Sequence, residues 1–384
     1  MKIPKTADII IIGGGVMGAS TAYYLAKSGI PNVVLLEKDE LFGQGATGRC
    51  AGGVRYQFAT EVNIKLSLES LPILEEFKEL FGQEIGYKKV GYLFLLTDEE
   101  SVKKFQSNIS LQHSLGVKTE WLSGDDVRAM FPMMNLDDVI GATNHAKDGI
   151  ADPNGVVMGY INSTKRLGAK LFNNIEVVDI LVDSGRVKGV KTIEGEISSP
   201  IVVNACGPWA GKIGKMADLS IPIQPLRRQW LTTTGIPNLP AAFPFLIDFS
   251  QSLYFHTEGD GLLTGMSNPD EDFGFDQNVD PEWELTHINA AIKRYPYLEK
   301  VGLSSHLAGL YEVTPDAHPI IGSTPVDGFY IVAGFSGHGF MHSPAAGKCM
   351  SEIILNGQSS TVDISMLDFN RFDENRLIYE YNVV

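Results

Sequence analysis

The stretch from Ala7 to Glu37 constrains this chain more than any other. An apolar, β-rich run (Ala7–Ile12) leads into Gly13-Gly14-Gly15-Val16-Met17-Gly18, a helical stretch follows to Ser28, and a second apolar run (Val33–Leu36) ends at Glu37. Strand, tight turn, helix and strand in about 30 residues make a βαβ unit with a right-handed crossover. Gly13, Gly15 and Gly18 have the Gly-x-Gly-x-x-Gly spacing: the first permits the turn, the second lets backbone approach a pyrophosphate, and the third lets helix and strand pack closely. The free N–H groups that open the helix, around Val16 and Met17, then face the phosphates. Glu37 stands at the end of the second strand, where a carboxylate accepts hydrogen bonds from adenosine ribose hydroxyls and repels a 2′-phosphate. The unit therefore binds an adenine dinucleotide, and NAD and FAD both remain open.

Composition narrows the partners. With 31 Lys plus Arg against 46 Asp plus Glu, the formal charge of -15 gives no field that attracts nucleic acid. No apolar run reaches the ~18 residues of a membrane span, and Ile9–Ile12 ends at once in glycines, so neither a span nor a signal peptide is expected. Cys50, Cys206 and Cys349 form no Cys-x-x-Cys pattern. They read as buried small hydrophobes in a reducing cytoplasm, without a disulfide framework or a metal site.

Further along, Leu66–Phe81 predicts an amphipathic helix, Gly91–Leu96 a strand, and Asp125–Met130 a short helix. Ile175–Ile180, Val187–Thr192 and Ile197–Val203 predict a three-stranded excursion. Strand-rich sequence returns over Ile221–Thr233 and Leu253–Gly265, and Pro281–Tyr295 reads as helix. Near the end, Gly328–Gly334 predicts a strand, followed by Phe335-Ser-Gly-His-Gly-Phe340 and a helix through about Leu355. Two Gly-rich strand-to-helix turns at opposite ends of the chain suit one long cofactor. A reductase holding two nucleotides would need another fingerprint mid-chain, and none is visible.

The N-terminal fingerprint with Glu37-Lys38, the Gly-rich stretch Gly43–Arg55, Val203-Asn-Ala-Cys-Gly-Pro-Trp209, Tyr311-Glu-Val-Thr-Pro-Asp316 and Gly334-Phe-Ser-Gly-His-Gly-Phe340 resemble, over essentially the full length, one family. It is the D-amino-acid-oxidase-like family of FAD-dependent amine oxidoreductases, and within it the sarcosine oxidase and dye-linked proline dehydrogenase β-subunit branch. The resemblance implies an α/β fold: a Rossmann-like FAD-binding domain (1–80, 145–215 and 320–384) interleaved with a β-sheet-rich substrate domain (81–144 and 216–319). It implies FAD contacts from Gly13, Gly15, Val16, Met17, Gly18, Glu37, Lys38, Thr47, Arg49, Ala51, Gly52, Gly53, Val177, Ala205, Gly207, Trp209, Gly309, Gly334, Gly337, His338, Gly339, Phe340 and Met341. Backbone N–H groups at Gly337 and Gly339 would stabilise the negative charge that collects at flavin N1 and the C2 carbonyl.

The chemistry it implies is loss of hydride from the carbon beside an amine nitrogen to flavin N5. The catalytic candidates are Arg55, Tyr254, His256, His338 and His342. Arg55, with Arg49 as competitor, would clamp a substrate carboxylate, and Tyr254 and His256, at i and i+2, share one strand face. Four departures refine the expectation. Gly309 replaces the cysteine that tethers FAD in monomeric sarcosine oxidases, so FAD is expected to be noncovalent. Leu263 stands where a lysine promotes reaction with oxygen, which favours a dye or electron-transfer partner as acceptor. Met341 replaces a second carboxylate-binding lysine, with His342 next to it. Pro153, in Gly149–Asn154, replaces the histidine that tethers an interfacial FMN in heterotetrameric relatives, leaving any FMN noncovalent or absent. The reading is oxidation of a secondary amino acid of the proline, hydroxyproline or sarcosine type to an imine, with an α-type subunit or other electron acceptor as partner. Its alternatives are a primary amino acid or glycine oxidase and a flavin-bearing electron-relay subunit without amine turnover.

Overall fold

A computed structural model describes residues 3–240 and 242–383. Ile9–Ile12 forms strand β1, Val16–Lys27 helix α1 and Val33–Leu36 strand β2, so the leading βαβ unit is as the sequence implies. β1 is flanked on both sides by parallel partners, Ile10 pairing with Val202 and with Val34. Every residue of β1 and β2 is buried, which is why both read as unbroken apolar runs rather than alternating ones. The sheet has six strands, in the order Ile320–Ser323, Phe329–Ala333, Val202–Asn204, β1, β2 and Lys170–Phe172. It gathers strands from both ends and the middle of the chain. The Gly339–Asn356 helix packs against α1, so closely that a methyl at Gly347 would lie 2.2 Å from Ser20 Oγ.

The second large sheet has eight strands, running Leu303–Val313, Gln224–Thr233, Gly261–Met266, Leu253–Glu258, Phe245–Asp248, Tyr92–Leu96, Gly141–His145 and Glu120–Ser123. It is antiparallel except where Phe245–Asp248 runs parallel to Tyr92–Leu96. The fold is thus mixed α/β, with two principal sheets and repeated crossings between them.

Three local expectations change. The run Ile197–Val203 is not one strand: Gly195–Ser198 completes a three-stranded sheet with Val177–Asp183 and Arg186–Thr192, whereas Val202–Asn204 joins β1. Pro200 lies between them and has no N–H to give a ladder. The helix expected over Leu66–Phe81 begins at Glu61, after Thr60, and breaks at Glu76 before a short Phe77–Phe81 helix. Helices at Glu99–Ser114 and Pro153–Arg166 were not anticipated. In the second of these, Pro153 is the first helical residue and Asp152 caps it, accepting from Asn154 N–H at 2.9 Å and Gly155 N–H at 3.0 Å. Proline suits that position because its missing N–H would have no helical partner there.

Asp316, at the end of the Tyr311–Asp316 stretch, ties the C-terminal segment down. Arg371 grips it with Nε to Oδ2 at 2.9 Å and Nη2 to Oδ1 at 3.0 Å, and both side chains are fully buried. Burial alone would raise the Asp316 carboxyl, but the guanidinium overrides it and holds the group below its ordinary value. Arg371→Met should therefore cost about 3–5 kcal/mol, because it strands a buried carboxylate. Since the folded value is depressed, the ion pair's contribution is full above the unfolded carboxylate value and is lost as pH falls through the folded one. Urea unfolding of wild type and variant should show a large gap at neutral pH that narrows below about pH 4.

Candidate cofactor and substrate cleft

One long cleft runs from the carboxyl ends of β1 and β2 to the face of the eight-stranded sheet. At the first end, Gly13 takes φ +104°, and a methyl there would sit 2.5 Å from the Ala205 carbonyl oxygen. Gly15 precedes α1 without a side-chain cap, and Thr47 Oγ1 accepts from Val16 N–H at 3.2 Å. Both Glu37 oxygens are oriented by backbone, Oε2 accepting from Gly14 N–H at 2.7 Å and Oε1 from Asp39 N–H at 2.9 Å. Burial pushes that carboxyl up and the two N–H groups pull it back. Lys38 Nζ lies 4.5 Å over the Trp209 ring, beside the turn formed by Ala205 and Gly207.

Of the expected cofactor residues, Gly13, Gly15, Val16, Met17, Glu37, Lys38, Thr47, Arg49, Ala51, Gly53, Val177, Ala205, Gly207, Trp209, Gly309, Gly337, His338, Gly339, Phe340 and Met341 line the cleft. Gly18, Gly52 and Gly334 do not. A methyl at Gly18 would lie 1.9 Å from the Gly13 carbonyl oxygen, so this glycine sets the helix–strand approach. Gly52 and Gly334 hold turns at φ +75° and +90°, and Gly334 N–H donates to Glu312 Oε2 at 2.9 Å.

At the other end, Arg55, Tyr254 and His338 meet. Arg55 is 4% exposed, lies 3.9 Å over the Phe58 ring, and donates to the carbonyls of Gln57 and Asn382. Burial pulls its guanidinium below the ordinary value, and among the described residues it makes no ion pair. His338 is 2% exposed, and neither ring nitrogen has a hydrogen-bond partner. Burial, then the neighbouring His342, His318 and Arg55, push it well below the usual histidine range, so it is neutral. Burial also pushes the Tyr254 phenol well up. Tyr254 and Tyr311 are accordingly protonated at neutral pH.

Two catalytic candidates lie off the cleft. His256 does share a strand face with Tyr254, but Phe245 from the adjacent strand stacks on both, with centroids 4.9 and 5.4 Å away, and shields the histidine. Its Nδ1 faces the Thr257 carbonyl oxygen at 2.9 Å. His342 sits behind Arg55: its Nε2 is 2.9 Å from Ser67 Oγ, which donates to the Arg55 carbonyl oxygen at 2.8 Å. It does not line the cleft. Leu263 is buried and does not line the cleft either. Cys50 and Cys206 are cleft residues rather than core hydrophobes, while Cys349 is buried.

The sequence reading missed Arg228, Glu312, Tyr92, Phe245 and Val383, all of which line the cleft. Arg227-Arg228 carried a usable signal, because adjacent strand residues face opposite ways. Arg227 turns out to an acidic loop, meeting Asp276 at 2.9 Å and Glu271 at 3.0 Å, and Arg228 turns in, 5.4 Å from the Tyr311 ring. Val383 arrives by a C-terminal strap that no local pattern announced. Glu380 anchors the strap, accepting from Ala59 N–H at 2.9 Å, Thr60 Oγ1 at 2.8 Å and Asn63 Nδ2 at 3.1 Å.

These features fit an extended dinucleotide whose tricyclic ring lies toward Arg55. Gly13, Gly15, Gly337 and Gly339 border the cleft with bare backbone, and a methyl at Gly13 or Gly337 would strike the Ala205 carbonyl oxygen or the Tyr311 ring. A buried imidazole with two unpartnered nitrogens faces the ring end.

Known proteins share this arrangement. A family model described as "FAD dependent oxidoreductase" (DAO) matches residues 8–353. Human mitochondrial sarcosine dehydrogenase is 32% identical over 96% of this chain and 42% of its own length, so the chain spans less than half of that relative. The crystal structure of L-proline dehydrogenase from P. horikoshii superposes with a TM-score of 0.90 at 34% identity, over 98% of this chain and 100% of the other. Glycine oxidase from Bacillus cereus ATCC 14579 gives 0.80 at 25% identity, over 95% and 98%. The chain belongs to the DAO family of FAD-dependent oxidoreductases.

Proposed function

We propose that this protein oxidises a secondary amino acid, of the proline, hydroxyproline or sarcosine type, to the imine, with noncovalent FAD in the cleft. The observation that carries the reading is Arg55, a buried cation at the ring end that no carboxylate of the described residues pairs. A charge so placed is costly without an anion, and a substrate carboxylate supplies one. The kinship with proline and sarcosine dehydrogenases supports the same class. FAD, when bound, supplies the hydride acceptor and the redox chemistry.

The chain's own residues do the rest. Arg55 clamps the carboxylate through two N–H donors, the geometry in which guanidinium excels over ammonium. Tyr254 and Tyr311, held protonated, offer donors. Arg55 and the desolvated walls disfavour a second positive charge, so the amine enters as its neutral form. His338, itself neutral, accepts a hydrogen bond from that nitrogen and orients its lone pair. Phe245, Tyr92 and Val383 exclude water. An FMN at a subunit interface, left open by the sequence, is not supported: the Gly149–Asn154 segment supplies a short strand and the start of a proline-opened helix. The electron acceptor proposed is a partner protein or dye, on kinship alone, since Leu263 lies outside the cleft.

A second reading is favoured by one contact. Asn382 already occupies an Arg55 donor, as it would in a flavin-bearing relay subunit without amine turnover. Anaerobic addition of proline, hydroxyproline, sarcosine, glycine and D-alanine to the flavin-loaded protein separates the readings. Bleaching by a secondary amino acid is expected; bleaching by glycine or D-alanine alone points to a primary amino acid oxidase, and none at all to the relay.

Arg55→Met should raise the amine concentration for half-maximal bleaching roughly 10–100-fold, the loss of a charge-assisted pair worth about 1.5–3 kcal/mol, while flavin content stays unchanged. Because burial keeps His338 neutral, the acid limb of the bleaching rate should follow the pKa of whichever amine is used. A limb fixed near the histidine range for every substrate would contradict this assignment.

A further inference from the structure

Glu312 belongs to the Leu303–Val313 strand and projects into the middle of the cleft. The two Gly-rich turns converge on it. Its Oε2 accepts from Gly334 N–H at 2.9 Å, and a methyl at Gly207 would lie 3.4 Å from the same oxygen. The carboxyl thus stands between the Val203–Trp209 stretch and the Gly334–Phe340 stretch, on the path from the helix α1 phosphate site to the ring end.

No cation faces it. Burial pushes the carboxyl up to about 7, opposed only by backbone N–H groups of Gly334 and Phe335. Of the titratable groups on the packed elements, Cys206 couples to it, and that thiol is itself pushed up by burial and stays protonated. Arg228, on the paired strand, interacts with Tyr311, Glu271 and Tyr254, and Tyr311 with Arg228, Cys50 and Arg55. His338, on the final helix, is neutral. Glu37, at the far end, has its own two N–H donors.

We propose that Glu312 contacts the cofactor as a neutral carboxylic acid, and that FAD binding draws one proton from solvent onto it. This rests on FAD as the occupant of the cleft. Filling the cleft removes the water that solvates a Glu312 carboxylate and brings a doubly negative pyrophosphate into the same trough. Desolvation and like charge both favour the protonated form. As an acid, Glu312 offers an O–H donor where a carboxylate offers only repulsion.

The sign follows from linkage. Below the free protein's value Glu312 already holds its proton and binding takes up none. Above it each binding event must recruit one, so affinity falls by up to tenfold per pH unit.

The test is titration of the full-length apoprotein with FAD, read by flavin fluorescence from about pH 6 to about pH 9, with calorimetry near pH 8 in buffers of different ionisation enthalpy. Expected are a flat affinity at the acid end, a Kd rising toward tenfold per unit at the alkaline end, and close to one proton taken up near pH 8. Glu312→Gln should bind FAD with little pH dependence and no proton uptake. A wild type that binds FAD with pH-invariant affinity and no uptake overturns the proposal and leaves the cofactor assignment standing, as does a Glu312→Gln protein that keeps the wild-type slope. Absence of FAD binding at every pH overturns both. Should Glu312→Gln fail to fold, the calorimetry of the wild type decides alone.

Discussion

Everything in this molecule depends on backbone approaching backbone at the carboxyl end of β1. A methyl at Gly18 would stand 1.9 Å from the Gly13 carbonyl oxygen, and one at Gly13 would stand 2.5 Å from that of Ala205. No side chain fits at either place. That contact sets the angle of α1, turns its first residues, Val16 and Met17, to the cleft, and brings the Val203–Trp209 stretch alongside. The cleft continues past the last strand-to-helix turn, where a methyl at Gly337 would strike the Tyr311 ring and one at Gly339 the Phe335 side chain.

Charge is distributed along the cleft in a way that suits its two ends. Acidic Glu37 is oriented by backbone amides at the adenosine end. Arg49, Arg55 and Arg228 gather at the ring end, in a protein whose overall charge is strongly negative. The partners that hold these arginines are neutral: the Ala308 carbonyl for Arg49 at 2.6 Å, the carbonyls of Gln57 and Asn382 for Arg55, and the Arg227 carbonyl for Arg228 at 3.1 Å. Neutral holders leave the positive charge available to an incoming anion, which an ion pair would not. Glu312 also lines the cleft, and among the described residues no cation pairs with it.

How much of this was legible follows the range of the interactions. The βαβ unit could be read because its determinants lie within about 30 residues: an apolar run, three glycines at fixed spacing, an acid in register. The roles of Arg55, Tyr254 and His338 came from motif resemblance, and all three reach the cleft. His256 did not, although its spacing from Tyr254 was read correctly, because periodicity along one strand says nothing of Phe245 arriving from the next. His342 lies off the cleft too, with Ser67 between its ring and the Arg55 carbonyl oxygen.

The amino-acid order alone thus determined the dinucleotide unit, the second glycine turn and the α/β character, all of which follow from hydrophobic period and from positions that only glycine can occupy. The folded chain decided which side chains share the cleft. Arg228, Glu312 and Val383 come together from a strand middle, a strand end and the C-terminal strap, separated by as many as 155 positions. Burial, and with it the protonation state of Glu312 and His338, is a property of what surrounds a group in space. Neighbours in the chain do not reveal it.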